Sequence, residues 1–144
     1  PAEAKGVVRD AVWNLSENSA GMSVRFVTDS PTIAARWSLR TGMLDMHHMP
    51  STGVSGLDLY AKDADGEWRW VGAGRPKEQS QSVATLVSGA PKGMHEYQLY
   101  LPLYNGIEKL EIGIEAGATL QQAPTYPQSH AKPVLFWGTS ILQG

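Results

Sequence analysis

Apolar and polar residues alternate in short runs along most of the chain. A period of two is typical of a strand with one buried face, because successive side chains of a strand point to opposite sides. Six runs show this pattern, at residues 22–26, 33–39, 57–61, 68–70, 97–101 and 110–114. In this phase Trp37, Trp68 and Trp70 occupy core-facing positions. The pattern therefore predicts at least six strands, each with one apolar side.

The breaks between the runs indicate how the strands connect. Asp65-Gly66 separates the third run from the fourth, and Asn105-Gly106 separates the fifth from the sixth. Both dipeptides favour the positive φ angles of tight hairpin turns, so each predicts a hairpin. No window of a dozen residues shows helical periodicity. The chain is therefore predicted to be all-β, a two-sheet β-sandwich with a jelly-roll-like strand order as the preferred topology.

The residue pattern and composition change after residue 120. Residues 121–133 contain three prolines and no alternation, which predicts an extended linker. Residues 134–137 are apolar without alternation, as in a strand buried on both faces of a parallel sheet. We therefore expect a β-sandwich domain at 1–120, a linker at 121–133, and at 134–144 one orphan strand and turn of an α/β domain.

Composition narrows the function classes. The 144 residues carry a net charge of −2 and no basic run, which argues against a nucleic acid partner. No apolar stretch approaches the roughly 20 residues that span a bilayer, so no membrane segment is predicted. The chain has no cysteine, which excludes disulfides, thiolate metal sites and a cysteine nucleophile.

The sequence Gly138-Thr139-Ser140 follows the apolar run 134–137. Glycine permits a sharp turn, and a serine there would project its hydroxyl from the carboxyl end of a sheet, where α/β folds bind ligands. Such a serine can act as a nucleophile if a base, commonly a histidine oriented by an aspartate, lies beside it. The simpler interpretation is an ordinary turn in which serine or threonine caps a helix.

Two stretches resemble parts of one enzyme family. Residues 134–144, VLFWGTSILQG, resemble the first block of the SGNH (GDSL-type) hydrolases, in which an apolar strand leads into Gly-Asp-Ser. Residues 56–60, GLDLY, resemble the Gly-x-Asp-Leu-Tyr signature of a β-sandwich domain that precedes the catalytic domain in one group of these esterases. The resemblance implies that Gly56, Asp58 and Tyr60 are motif positions.

The resemblance also implies a role for the last residues. Ser140 would be the acyl-forming nucleophile, with its own backbone N–H in the oxyanion hole and Gly138 in the turn. Thr139 departs from the family's aspartate at that place. The family's second-block Gly, third-block Asn and final Asp-x-x-His would lie further along than Gly144. The chain by itself is therefore expected to be inactive, an accessory domain that packs beside the active site of its own C-terminal catalytic domain.

The resemblance implies no cofactor, a carbohydrate acyl ester as the possible substrate, and secretion or a bacterial periplasmic location. A stand-alone carbohydrate-binding or adhesion module remains the alternative. Tyr100 and Tyr104 are out of phase with the apolar face of their strand and are the candidate sugar contacts. His47 and His48 are adjacent, so on a strand they would point to opposite faces, and no metal site is predicted there.

Asp58 and Tyr60 have two open interpretations beside their place in the motif. Asp58 could have a structural role, holding a turn or pairing with a nearby arginine, or Asp58 and Tyr60 could line an interface with the catalytic domain. The acyl group, the alcohol and the oligomeric state are not determined by the sequence.

Overall fold

The structure, a computed structural model, describes residues 2–127, 132, 134, 136 and 138–143. It is mostly β, with 40% strand and 12% helix, and its two antiparallel sheets do not close into a barrel. The prediction of an all-β sandwich is confirmed. The strands are β1 Ser23–Thr28, β2 Thr32–Leu39, β3 Leu57–Lys62, β4 Trp68–Gly74, β5 Ser82–Ser88, β6 His95–Tyr100, β7 Ile107–Ile114 and β8 Leu120–Gln122. The helices are α1 Asp10–Ser16, α2 Ser51–Val54 and α3 Ser140–Gln143, and Ala2–Ala4 form a 3₁₀ turn.

The strands divide into a five-stranded and a three-stranded sheet. The five-stranded sheet has the order β4-β3-β6-β1-β8, and the three-stranded sheet has the order β5-β2-β7. Strands that are consecutive in the chain, such as β1 and β2 or β6 and β7, therefore pass from one sheet to the other. The jelly-roll topology stays a prediction.

The core lies between the two sheets and is built from the alternating positions. Ile33, Trp37 and Leu39 of β2 face Leu59 of β3 and Leu99 of β6, and all five side chains are buried. The indole Nε1 of Trp37 donates a hydrogen bond to the carbonyl of Ser55 at 3.3 Å, so its burial leaves no polar atom unpaired. The prediction that Trp37 belongs to the core is confirmed.

The structure contains elements that the sequence pattern did not predict. Strand β5 was not predicted, because its polar and apolar residues do not mark its buried side: Val83 is exposed whereas Ser82 is buried. Helix α1 has seven residues and buries none of them, so it offers no apolar stripe to recognise. Strand β8 extends to Gln122, two residues into the segment predicted as a linker.

One of the two predicted hairpins is correct. Gly66 has a φ of +85° in the turn that joins β3 to β4, and these strands pair antiparallel. The hairpin predicted at Asn105-Gly106 is wrong, because β6 and β7 belong to different sheets. Asn105 is instead a buried polar anchor. Its Oδ1 accepts from the backbone N–H of Thr41 at 3.2 Å, and its Nδ2 donates to the carbonyl of Met43 at 3.2 Å and to Ser55 Oγ at 3.0 Å.

The predicted strand at 134–137 falls partly outside the described residues. Val134 and Phe136, which the structure does describe, belong to no strand and are exposed. A strand needs a hydrogen-bonded neighbour, and none of the eight described strands pairs with this segment. Within the described part of the chain, no helix is long and apolar enough to cross a membrane.

Candidate functional site

The Gly-x-Asp-Leu-Tyr motif begins just before β3 and continues along it. Leu57 and Leu59 point into the sandwich and are buried, whereas Asp58 and Tyr60 point outward and are half-buried. This alternation confirms the predicted phase of the strand. The motif therefore serves two sides of the sheet at once, with its leucines in the core and its polar members on the surface.

The glycine of the motif is required by close backbone contacts. A Cβ atom at Gly56 would lie 2.4 Å from the carbonyl oxygen of Thr52 and 2.7 Å from that of Gly74. Both atoms belong to backbone, which cannot move aside as the end of a side chain can. Gly56 thus lets the chain pass between helix α2 and the end of strand β4.

A β-bulge decides where the tryptophans of β4 point. Leu59 pairs with Gly72 whereas Tyr60 pairs with Trp70, so Val71 is an extra residue in β4. The extra residue shifts the phase of β4 by one, so that Trp68 and Trp70 point outward with Tyr60. The prediction that these two tryptophans belong to the core is therefore wrong: Trp70 is 58% exposed, and Trp68 is half-buried.

Four outward side chains of the five-stranded sheet form what we call the motif face: Asp58, Tyr60, Trp70 and Tyr100. Trp70 Nε1 donates a hydrogen bond to Asp58 Oδ1 at 3.0 Å. Tyr60 and Tyr100 meet edge to face with their ring centroids 5.5 Å apart. Partial burial raises the pKa of Tyr100, and the neighbouring Tyr126 and Tyr60 add to this effect. The face is thus an aromatic surface with one oriented carboxylate.

A polar network continues the motif face along the same sheet. Glu96 accepts from Arg25 Nε at 3.0 Å and lies 3.5 Å from Lys62 Nζ, so one carboxylate joins two cations. The ring of Tyr126 covers the Arg25 guanidinium, whose central carbon lies 3.9 Å from the ring centroid. Sequence reasoning placed Tyr126 in an extended linker and did not single out Arg25. No local signal connects two residues that are a hundred positions apart.

The segment that contains Gly138, Thr139 and Ser140 lies beside a cavity that the motif borders. This cavity, which we call the motif cavity, has a volume of about 240 Å³ and is lined by residues of the motif, by Tyr100, and by Gly21 and Leu103. A second cavity of about 760 Å³ shares Gly21 and is lined on its other side by Thr139 and Leu142. Gln143 Nε2 donates a hydrogen bond to the carbonyl of Leu103 at 2.7 Å, which ties helix α3 to the wall of the first cavity.

Ser140 is the first residue of α3, and its side chain lies outside the described part of the structure. Gly138 precedes it with little free space, since a Cβ there would meet the Leu142 side chain at 2.9 Å. The geometry between the Ser140 hydroxyl and a base therefore stays a prediction.

The other candidate residues lie elsewhere. Tyr104 follows β6, is half-buried, and donates its backbone N–H to the carbonyl of Val54 at 3.1 Å. The rings of His47 and His48 contact each other, with centroids 4.6 Å apart. Among the described residues no group of three or more His, Asp or Glu side chains is placed to hold a metal ion.

The family comparison agrees with this geometry. The family GxDLY, described as the N-terminus of SGNH hydrolase-type esterases, matches residues 1–120. The chain belongs to the GxDLY family. The family is named after the motif Gly-x-Asp-Leu-Tyr, which Gly56, Asp58, Leu59 and Tyr60 form in this chain. The comparison with curated proteins found no match.

Two solved structures share the fold of this GxDLY domain. A protein described as a GDSL-like lipase from Bacteroides ovatus ATCC 8483 is 33% identical, with a TM-score of 0.74 over 85% of this chain and 35% of that chain. The salicylyl-acyltransferase SsfX3 from a tetracycline biosynthetic pathway is 23% identical, with a TM-score of 0.61 over 88% of this chain and 34% of that chain. The chain thus spans about a third of the length of either neighbour.

Proposed function

We propose that this GxDLY domain is the accessory domain of an SGNH-type serine esterase that cleaves an acyl ester, of acetyl or a similar group, from a carbohydrate. The observation that supports the proposal is that the Gly-Thr-Ser segment lies next to the motif cavity. Helix α3, which begins at Ser140, is tied by Gln143 to Leu103 in the wall of the motif cavity. A nucleophile on this segment would act next to the aromatic side chains of the domain.

In the proposed mechanism Ser140 Oγ attacks the ester carbonyl while a base from the catalytic domain removes its proton. The oxyanion accepts a hydrogen bond from the Ser140 backbone N–H. The carbon–oxygen bond to the sugar then breaks, and the alcohol leaves with the proton that the base returns. Water attacks the acyl-serine and releases the carboxylic acid and the free serine. The domain described here supplies the nucleophile segment and one wall, and the catalytic domain supplies the base.

The motif face has a proposed role in binding the alcohol part of the substrate. Aromatic rings present flat apolar surface, and the Asp58 carboxylate is an acceptor for sugar hydroxyls. Tyr100 borders the motif cavity, and Tyr104 follows Leu103 just beyond it. We propose both as sugar contacts in a protein that is secreted or periplasmic.

The test compares aryl acetate hydrolysis by three proteins: this chain, the chain extended through its natural downstream sequence, and the extended protein with Ser140→Ala. We expect activity in the extended protein alone, because a serine without a base is a weak nucleophile. Ser80→Ala in the extended protein is the matched control, since Ser80 is exposed and borders no part of the motif face. Retained activity in Ser140→Ala would refute the assignment of the nucleophile.

A second candidate function is a stand-alone carbohydrate-binding module. The observation that favours it is the exposure of Trp70 and Tyr100 on one face, which suits stacking on sugar rings. Titration calorimetry of the chain with neutral oligosaccharides distinguishes the two. Binding that is lost in Trp70→Ala, together with an inactive extended protein, would favour the module over the esterase.

A further inference from the structure

A cavity with no part in the proposed esterase site lies at the opposite end of the sandwich. It has a volume of about 370 Å³ and lies where the ends of β3 and β5 meet the starts of β4 and β6. Its walls include Ala61, Val71, Val87 and Pro91. We call it the end cavity. Ala61 and Val71 pack on the core side of the five-stranded sheet, whereas their neighbours Tyr60 and Trp70 belong to the motif face on its outer side. The volume of the end cavity falls in the range of small-molecule pockets.

The end cavity is lined by two edge strands that each carry a bulge. Strand β2 pairs Ile33 with Val87 but Ala34 with Thr85, so Leu86 is an extra residue in β5, as Val71 is in β4. The two strands are in close contact at Gly72, where a Cβ would lie 1.9 Å from the Leu86 carbonyl oxygen. The residues that follow Leu86 and precede Gly72, Val87 and Val71, line the cavity. Bulges are over-represented beside binding sites, where they redirect side chains.

Among the described residues, one polar side chain that lines the end cavity makes no hydrogen bond. Tyr97 is 3% exposed, and its ring stacks on Phe26 with the centroids 5.6 Å apart. Among the described residues its hydroxyl makes no hydrogen bond. Among the described residues no fully buried side-chain oxygen or nitrogen lacks a hydrogen-bond partner, so the Tyr97 hydroxyl keeps some exposed surface. Because Tyr97 lines the end cavity, we assign this exposed surface to the cavity. Burial raises the pKa of Tyr97, which keeps the hydroxyl protonated and able to donate.

The charged groups at the mouth of the end cavity are already paired. Arg69 Nε lies 2.8 Å from Asp63 Oδ2, and Lys62 Nζ lies 3.5 Å from Glu96 Oε2. His95 Nε2 lies 3.1 Å from the carbonyl of Pro91, to which it donates. A charged ligand would have to break one of these pairs, whereas a neutral ligand would not.

We propose that the end cavity binds a small, neutral, mostly apolar molecule whose single oxygen accepts a hydrogen bond from the Tyr97 hydroxyl. The apolar walls take the hydrocarbon part, in the way that dry cavities in proteins take up small rings. The hydroxyl fixes its orientation, as one well-placed polar group does in many apolar pockets. The site is independent of the proposed esterase function.

The test is a titration of the chain with cyclohexanone, followed by ¹H–¹⁵N correlation spectra. We expect saturable shifts confined to the amides of the residues that line the cavity, at 61–64, 69–71, 87–90 and 95–97. Tyr97→Phe keeps the ring on Phe26 and removes only the donor, so it should weaken binding roughly two- to tenfold. Ala90→Trp should abolish the shifts by filling the cavity. Tyr100→Phe, on the motif face, is the matched control and should bind as the parent does.

Two further results decide the proposal. Hexanoate, which carries a charge, should bind at least about tenfold more weakly than cyclohexanone, because its carboxylate would be desolvated beside paired charges. Equal binding of hexanoate would overturn the neutral class of ligand. Shifts that are absent, that lie only outside these amide ranges, or that persist undiminished in Tyr97→Phe would overturn the site itself.

Discussion

Gly56 shows that the first position of the motif is set by backbone geometry. We predict that Gly56→Ala lowers the free energy of unfolding by about 2–4 kcal/mol, because the new methyl group would overlap two carbonyl oxygens of fixed backbone. Urea denaturation followed by tryptophan fluorescence measures the change. Gly113→Ala is the control: its nearest contact is 3.7 Å, so it should change stability by less than about 0.5 kcal/mol. Equal effects of the two variants would contradict the prediction.

The individual residues of the motif could be assigned to a face from the sequence, because a period of two is a local property. The burial of Leu57 and Leu59 and the outward position of Asp58 follow from that period alone. Asn105 could not be predicted in the same way. The dipeptide Asn-Gly favours a tight turn locally, but here the asparagine amide donates to Thr41 and Met43 in one loop and to Ser55 in another segment. Its role depends on contacts that arise only after the two sheets have assembled.

The β3–β4 hairpin is held by a carboxylate that closes its turn. Asp63 accepts from the backbone N–H groups of Asp65 and Glu67 at 3.0 and 2.9 Å, and from Arg69 Nε at 2.8 Å. The hydrogen bond from Arg69 is the largest cause of a lowered pKa for Asp63, and the bond from Glu67 follows. A lowered folded-state pKa means that this stabilisation is present above the ordinary aspartate range. It is lost as the pH falls through the folded pKa.

We predict that Arg69→Gln raises the pKa of Asp63 toward its ordinary value, because the charged donor is removed while the backbone donors remain. A ¹³C-detected pH titration of the Asp63 carboxyl group measures this. Arg75→Gln is the matched control, since Arg75 is an exposed arginine after the end of β4. An unperturbed Asp63 pKa in the parent chain would show that the turn does not depend on this ion pair.

The strands with regular alternation were predicted with the correct phase, whereas β4 was predicted with the wrong phase and β5 was not predicted. The bulge at Val71 reverses the phase of β4. The alternation in the sequence therefore predicts Trp70 in the core, whereas the structure has it on the surface. In β5 a buried serine and an exposed valine conceal the apolar side. Bulges and edge positions depend on the partner strand, and a single sequence does not show which strand that is.

The whole molecule follows from the pattern only as far as its class. Many short strands and few helices indicate a sandwich, because two sheets bury one face each. The strand order β4-β3-β6-β1-β8 could not be derived from the sequence, because the alternation of apolar and polar residues in a strand is the same whichever strand pairs with it. Three of the four residues of the motif face were singled out from the sequence: Asp58, Tyr60 and Tyr100. That Trp70 lies beside them is visible only in the folded structure.

The last prediction concerns the extended protein and rests on the proposed function. We expect Trp70→Ala to raise KM for an acetylated oligosaccharide roughly three- to tenfold, because an exposed ring that stacks on sugar contributes about that much to binding. Its kcat should not change, since the stacking would be equal in ground and transition states. Hydrolysis of a small aryl acetate should be unaffected, because that substrate carries no sugar ring to stack on Trp70. Val83 is an exposed apolar residue on the three-stranded sheet, so Val83→Ala is the control and should change the hydrolysis of neither substrate.

A parallel loss of aryl acetate activity in Trp70→Ala would mean that the ring supports the fold of the enzyme. An unchanged KM for the oligosaccharide would exclude the motif face from the substrate site.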